Sequence, residues 1–376
     1  GAKMHKDIEK TYAIATVSSL FASLIFFVAS FFFGEKIMSL FNSDPRVVKI
    51  GTKYLKAASF AYPATVVSSA LCTVLRSTEK VKLPMFVSLI STSFNIVLDY
   101  ALVFGKLGLP EMGVTGAAVA TAVSAWLGLV ILIIISKSQQ NILVMPIKKF
   151  FTFSKKDFYV FMKKASPVIF NEMLWGFGMV VNNAIYSNTG YENYAACTIL
   201  RTIESLCLIL FIGLNDGGAV IIGKTVGEGK ESLAYTYAKK LIVSVPLLSL
   251  LIGGVVILLR SGIINIFNLG GNITATTLSV ANVLVIIYGL EIAFRNIPYT
   301  MVCAVFRSGG DSVTGAKYDL ICLWLLAIPV TYFTAFHLKL AFPLVFLIEY
   351  LVEDIPKAIL CLKHFVSRKW IKSVVK

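Results

Sequence analysis

Tyr12–Phe33 reads YAIATVSSLFASLIFFVASFFF, an apolar run without a charged residue. Wound as an α-helix at about 1.5 Å per residue, it covers the ~30 Å hydrocarbon core of a bilayer. Such runs recur through the 376 residues, which are 57% hydrophobic and 15% charged, with a mean hydropathy of +0.80. The chain therefore reads as an all-α integral membrane protein. Ten helices are expected, near 11–33, 54–75, 84–104, 114–136, 165–188, 194–224, 235–259, 278–306, 316–336 and 341–364. Gly1–Lys10 is polar and the run behind it is full-length, which does not resemble a cleavable signal peptide.

The net charge of +15 is topological. With the first segment cytoplasmic, 25 of the 35 Lys and Arg fall in cytoplasmic segments and 8 in outer ones, while Arg201 and Arg295 lie within helices. That threefold bias is the positive-inside signature, and it excludes nucleic acid as the partner. The six cysteines lie mostly in or beside apolar helices without CxxC spacing and read as small buried hydrophobes. His5, His337 and His364 form no ligand cluster. There is no GxxxxGK[ST] phosphate loop and no nucleophile–base pair, so neither an ATP-driven machine nor an enzyme is indicated.

An internal repeat divides the chain. Ile37–Asn42 (IMSLFN) matches Ile263–Asn268 (IINIFN) at an offset of 226, and Leu75-Arg76-Ser77 matches Phe306-Arg307-Ser308 at 231. The expected organisation is an N-terminal bundle over 1–136, a basic cytoplasmic linker over 137–164 and a C-terminal bundle with its tail over 165–376. The second copy begins with a hairpin, 165–224, that the first lacks. By symmetry, a hairpin of about two helices is expected ahead of Gly1. The whole would be two six-helix bundles related as parallel repeats, with ten helices in this sequence.

Ionisable groups at membrane depth mark pathways or binding sites. On the helix from Ala165, Glu172, Gly176, Met179, Asn183 and Tyr186 fall within about 40° of one direction. A carboxylate, an amide, a phenol and a thioether on one wall suit amphipathic cations, although the same stripe would serve as a helix–helix seam. Glu172 is expected to be a buried carboxylate and an exchange site, including for Na⁺. Arg201 can pair with Glu204 at i,i+3, and Glu291 with Arg295 at i,i+4, with Pro298 bending that helix. Ser88, Thr92, Asn95 and Asp99 make a second polar stripe. Asp319, Glu349, Glu353, Asp354 and Lys357 form a candidate salt-bridge network near the inner face.

These residues carry a family resemblance. Asn95–Asp99 (NIVLD) with Gly113–Ala118 (GVTGAA), Pro167–Trp175 (PVIFNEMLW), Ile203-Glu204 through Gly227, Arg307–Asp311 (RSGGD) through Asp319, Trp324, Pro329 and Trp370 together resemble the multidrug and toxic compound extrusion (MATE) antiporters, in their bacterial, Firmicutes-like form. The resemblance implies two bundles around a cleft open alternately to either side of a bacterial plasma membrane, with the C-terminus cytoplasmic. It implies secondary active export of organic cations or other xenobiotics in exchange for Na⁺ or H⁺. No other cofactor is implied, and the partners would be amphipathic cations and membrane lipids around a monomer. Glu172 matches the family's acidic position on its seventh helix, and Glu291 is placed near its tenth-helix carboxylate. The expected substrate and cation site comprises Glu172, Asn183, Met179, Tyr186, Asn95, Asp99, Glu204 and Glu291. A lipid-linked sugar flippase of the same superfamily is the alternative, but it requires a cationic cleft, and the intramembrane charges here are mainly acidic.

Overall fold

The structure, a computed structural model, describes residues 5–41, 44–268, 271 and 273–372. Every regular element among them is helical. In lipid the backbone must satisfy its own polar groups, and helices do so within each segment. The chain forms two compact units, Met4–Phe161 and Met162–Lys376.

The N-terminal unit contains α1 (His5–Phe41), α2 (Pro45–Ser59), α3 (Ala61–Ser77), α4 (Lys82–Phe104) and α5 (Val114–Ser138), followed by a 3₁₀ turn at Ile147–Phe151. The second helix starts well before the expected residue 54. Asp44 caps it, accepting from Arg46 N at 2.8 Å, and Pro45 occupies the first turn, where its missing N–H is not needed. A 43° bend separates α2 from α3, and Trp126 Nε1 donates to the Phe60 carbonyl there at 2.9 Å. Tyr12, Leu71, Leu75, Val87, Leu129 and Leu132 form the core. The linker is fastened to α1: the Tyr12 ring meets Phe150 edge-on, and Lys149 pairs with Glu9 at 3.0 Å.

The chain passes to the C-terminal unit within α6 (Lys155–Ser187). Ser154 and Asp157 cap the start of this helix reciprocally, with Ser154 N donating to Asp157 Oδ2 at 3.0 Å and Asp157 N to Ser154 Oγ at 3.1 Å. These bonds and Lys10 hold the Asp157 carboxyl below the usual carboxylate range. Then come α7 (Tyr191–Gly227), α8 (Glu231–Phe267) and α9 (Ala275–Thr300), which runs through a π-helical turn at Met301–Phe306 into the short α10 (Arg307–Gly309). The interruption at Pro298 is thus absorbed by local π geometry, since proline removes one ladder bond and the helix rewinds around it. After α11 (Ser312–Ile321) the helix passes through a second π turn, Cys322–Ala327, into α12 (Ile328–Tyr332), and α13 (Phe342–Val366) completes the unit.

The repeat is visible in the helix lengths. The helices α1 and α8 are each 37 residues long and lie 226 positions apart, while α5 and α13 are each 25 residues long and lie 228 apart. Among the described residues seven helices are long and apolar enough to cross a membrane, and the bent α2–α3 pair makes an eighth. Long as they are, α6 and α13 miss that standard because Glu172, Asn182 and Asn183 interrupt one, and Glu349, Glu353, Asp354 and Lys357 the other. The two helices that are poorest as lipid spans carry most of the candidate chemistry.

Candidate functional site

Within the C-terminal unit, α7, α9, α11 and α13 bring ionisable side chains together. Arg295 Nη1 on α9 donates to Glu204 Oε1 on α7 at 2.9 Å, and the Tyr350 hydroxyl on α13 donates to the same oxygen at 2.9 Å. The guanidinium also sits 5.1 Å from the Tyr350 ring centroid, a cation–π contact. Further along α13, buried Lys357 points its ammonium at three carboxylates: Glu353 at 2.7 Å, Asp319 at 3.0 Å and Asp354 at 3.6 Å. Four of the five residues expected in the inner-face network, Asp319, Glu353, Asp354 and Lys357, meet here, while Glu349 bonds to Asn182 instead.

Two carboxylates in this interior lack full partners. Both oxygens of buried Glu291 have no hydrogen-bond partner among the described residues, and Glu349 has one, from Asn182 Nδ2 at 2.6 Å. The expected Glu291–Arg295 and Arg201–Glu204 pairs do not form, because Arg295 reaches across to α7 and takes Glu204. A helical spacing gives reach; the neighbouring helix decides the partner.

Polar and close-packed side chains attach α6 to this framework. Its inner face is Asn171, Gly178, Asn182 and Ile185. Asn171 Nδ2 donates to Asp319 at 3.3 Å, Gly178 sits against Leu323, and the Leu174 carbonyl accepts from Trp324 Nε1 at 3.3 Å. Glu172 is turned about 100° from that face. Contrary to the expectation of a buried carboxylate, its side chain is 54% exposed, and it accepts from Arg307 Nη2 at 2.5 Å. Of its stripe, Met179 and Asn183 are half-buried, whereas Tyr186 is fully buried against Phe342 and Phe346.

Arg307 opens the short α10, which turns at Gly310 and Asp311 into α11. Gly310 closes α10 at φ +92°, a left-handed conformation that costs glycine little. Asp311 caps α11, accepting from Thr314 Oγ1 at 2.9 Å, and lies 2.8 Å from both His364 Nε2 and Lys372 Nζ. Burial opposes ionisation of Asp311, but the bonds from Lys372, Thr314 and His364 prevail and hold its carboxyl below the usual range.

In the N-terminal unit, a cleft of about 560 Å³ is lined by Ser88, Thr92 and Asn95 of the polar stripe, facing Thr65, Ser68 and Ser69 of α3, with Arg76 also on its wall. Asn95 Nδ2 and Asp99 Oδ1 are buried without hydrogen-bond partners among the described residues. Asn171, Asn182, Tyr350 and Arg307 were not singled out from sequence as partners. Asn182 neighbours Asn183 on α6, and only the packing shows which of the two faces the bundle. Among the described residues, no group of three or more His, Cys, Asp or Glu side chains is arranged to hold a metal ion. The Glu172 carboxylate is shared with Arg307.

A multi-helix membrane bundle that buries carboxylates and cations in its interior has the architecture of a membrane transporter. Comparisons narrow the class. The sequence matches the MatE family over residues 1–101 and 167–333. It is 28% identical over 339 residues to the "Probable multidrug resistance protein NorM" of Thermotoga maritima, spanning 89% of this chain and 70% of that protein. Among solved structures, the eukaryotic MATE transporter AtDTX14 superposes with a TM-score of 0.79 at 21% identity, over 99% of this chain and 81% of that one. A MOP superfamily transporter from Pyrococcus furiosus superposes with a TM-score of 0.84 at 14% identity, over 98% and 80%. The chain belongs to the MatE family, and as such it is a multi-pass membrane transporter and not an enzyme.

Proposed function

We propose that this protein is a secondary active multidrug exporter, moving amphipathic organic cations outward in exchange for Na⁺ or H⁺ by alternating access. The observation that carries the reading is the charge imbalance in the C-terminal unit. Glu204, Glu291, Asp319, Glu349, Glu353 and Asp354 supply six carboxylates, against three cations, Arg201, Arg295 and Lys357. In a low-dielectric interior an excess of negative charge is costly, and protons or cations from solution relieve it. The relatives named as probable multidrug resistance proteins support the drug-export part of the reading.

Glu172 is the exchange site in this reading. It is accessible, it sits on a helix attached by separable polar contacts, and a single ion pair holds it. An arriving cation competes with Arg307 for that carboxylate. Half-buried Met179 and Asn183 supply the amphipathic wall on the same helix, with Tyr186 buried behind them against Phe342 and Phe346, and the Asn95–Asp99 stripe supplies a second polar surface in the N-terminal unit. The lipid-linked flippase reading is disfavoured, because the interior of the C-terminal unit is acidic where an anionic headgroup needs cations. The positive-inside distribution supports a bacterial plasma-membrane protein with a cytoplasmic C-terminus.

The test is uptake of a fluorescent organic cation into proteoliposomes under imposed Na⁺ or pH gradients. Gradient-driven transport that is lost in Glu172→Gln is the expected result. Transport unchanged by that substitution would remove Glu172 from the mechanism.

A further inference from the structure

We propose that the C-terminal tail is a positioning element for Glu172: Trp370 and Lys372 clamp the Arg307–Asp311 turn and so hold Arg307 against the Glu172 carboxylate. The functional weight of this clamp rests on the reading of Glu172 as the exchange site; the clamp itself is a matter of geometry.

After α13 the chain folds back onto that turn. Trp370 is completely buried, and its indole N–H donates to the Phe365 carbonyl at 3.2 Å. It stacks on Phe365, which stacks in turn on Tyr235 of α8, with the Arg368 guanidinium 4.3 Å from the Tyr235 centroid. The tail is thereby anchored to both α8 and α13. Its other side meets the turn. A Cβ placed on Gly309 would collide with the Trp370 ring and lie 2.7 Å from the Trp370 carbonyl oxygen. Lys372 N donates to the Gly309 carbonyl at 2.8 Å, and Lys372 Nζ reaches Asp311 at 2.8 Å. Gly309 and Asp311 are two and four residues beyond Arg307, so the backbone carrying the arginine is fixed from the tail side.

That fixation matters because the pair it supports is weak by placement. Glu172 is 54% exposed and Arg307 27%, and an ion pair so placed gains little unless the entropy of ordering its long side chain is already reduced. Trp370 and Lys372 act through Gly309 and Asp311, without being part of the carboxylate's own shell. Releasing the tail would loosen Arg307 and leave Glu172 readier to accept an incoming cation. The tail then sets how firmly the exchange site is held shut.

The experiment measures carbodiimide labelling of Glu172 by peptide mass spectrometry, on the purified full chain in lipid nanodiscs without substrate. Labelling is expected to rise several-fold in Arg307→Gln and in Trp370→Ala, with Trp370→Phe close to wild type and Lys372→Gln in between. A tail with only a structural role would lower thermal stability in Trp370→Ala and leave Glu172 labelling at the wild-type rate, which overturns the proposal. No rise in Arg307→Gln would overturn it as well. Should Trp370→Ala not fold, Lys372→Gln carries the same test, since that side chain is 56% exposed and its loss leaves the buried tryptophan in place. The labelling needs no transport, so a protein that exports nothing would still decide the clamp, while loss of gradient-driven export alone would fault the transport reading.

Discussion

Arg295 and Glu204 are 91 residues apart in sequence and 2.9 Å apart in space, and Tyr350 bonds to both. This triangle ties α7, α9 and α13 together inside the C-terminal unit. Removing one corner leaves a charge without its partner. Glu204→Gln is expected to cost about 2 kcal/mol, the scale of a hydrogen bond to a charged group. Because the residues share one network, the double variant with Arg295→Gln should cost less than the sum of the singles. Thermal unfolding of the four proteins in detergent checks this, and strictly additive losses would show that the triangle carries no coupling.

Lys357 presents the larger effect. Among the described residues its ammonium is the one cation within 4 Å of Asp319, Glu353 and Asp354, and Lys357→Met would take that shared partner from all three. Breaking such a buried arrangement costs about 3–5 kcal/mol. Adding Asp319→Asn removes one of the stranded charges, so part of the lost melting temperature should return. A double variant less stable than Lys357→Met alone would contradict the electrostatic cause.

Packing of α8 on α9 rests on two glycines. A Cβ on Gly289 would lie 2.8 Å from the Gly253 carbonyl oxygen and about as close to the Ile257 side chain, so Gly289→Ala must push the helices apart. A loss of about 1–3 kcal/mol is expected for such overpacking. Gly254→Ala is the control, because nothing lies within 4 Å of its added methyl and helix propensity favours alanine. Comparable losses at the two positions would argue against the close approach.

Acid should loosen the tail. Asp311 is ionised more readily in the folded protein than its ordinary value of 3.8 implies. A carboxyl lowered on folding contributes stability that is complete above the unfolded value and is lost as pH falls through the folded one. The melting temperature of the wild type should therefore fall as pH drops below about 4, and more steeply than that of Asp311→Asn. Parallel curves for the two proteins would show that Asp311 contributes no pH dependence.

Much of this was readable in one dimension. The run at Tyr12–Phe33, the 226-residue offset and the Lys/Arg bias are properties of local composition and order. They required a helical membrane protein with a repeat, and the equal lengths of α1 and α8 follow that offset. The sequence also singled out the helices that carry chemistry, since a charge in an apolar run is visible without coordinates. Helix ends were less legible: residues 45–53 read as outer loop ahead of a helix from 54, because their basic side chains masked a capped start.

What the sequence could not decide was which charge meets which. The i,i+3 and i,i+4 spacings made Arg201–Glu204 and Glu291–Arg295 plausible pairs, yet Arg295 lies closer to a carboxylate on another helix. Glu172 and Asn182 sit on the same apolar helix, and a rotation of about 80° separates an exposed ion pair from a buried amide. The Trp370 clamp is still less visible, because it depends on a tail folding back onto a turn some sixty residues earlier. Periodicity fixes which residues share a face of one helix, but partner choice depends on how neighbouring helices are turned and spaced, and that is set only when the whole unit packs.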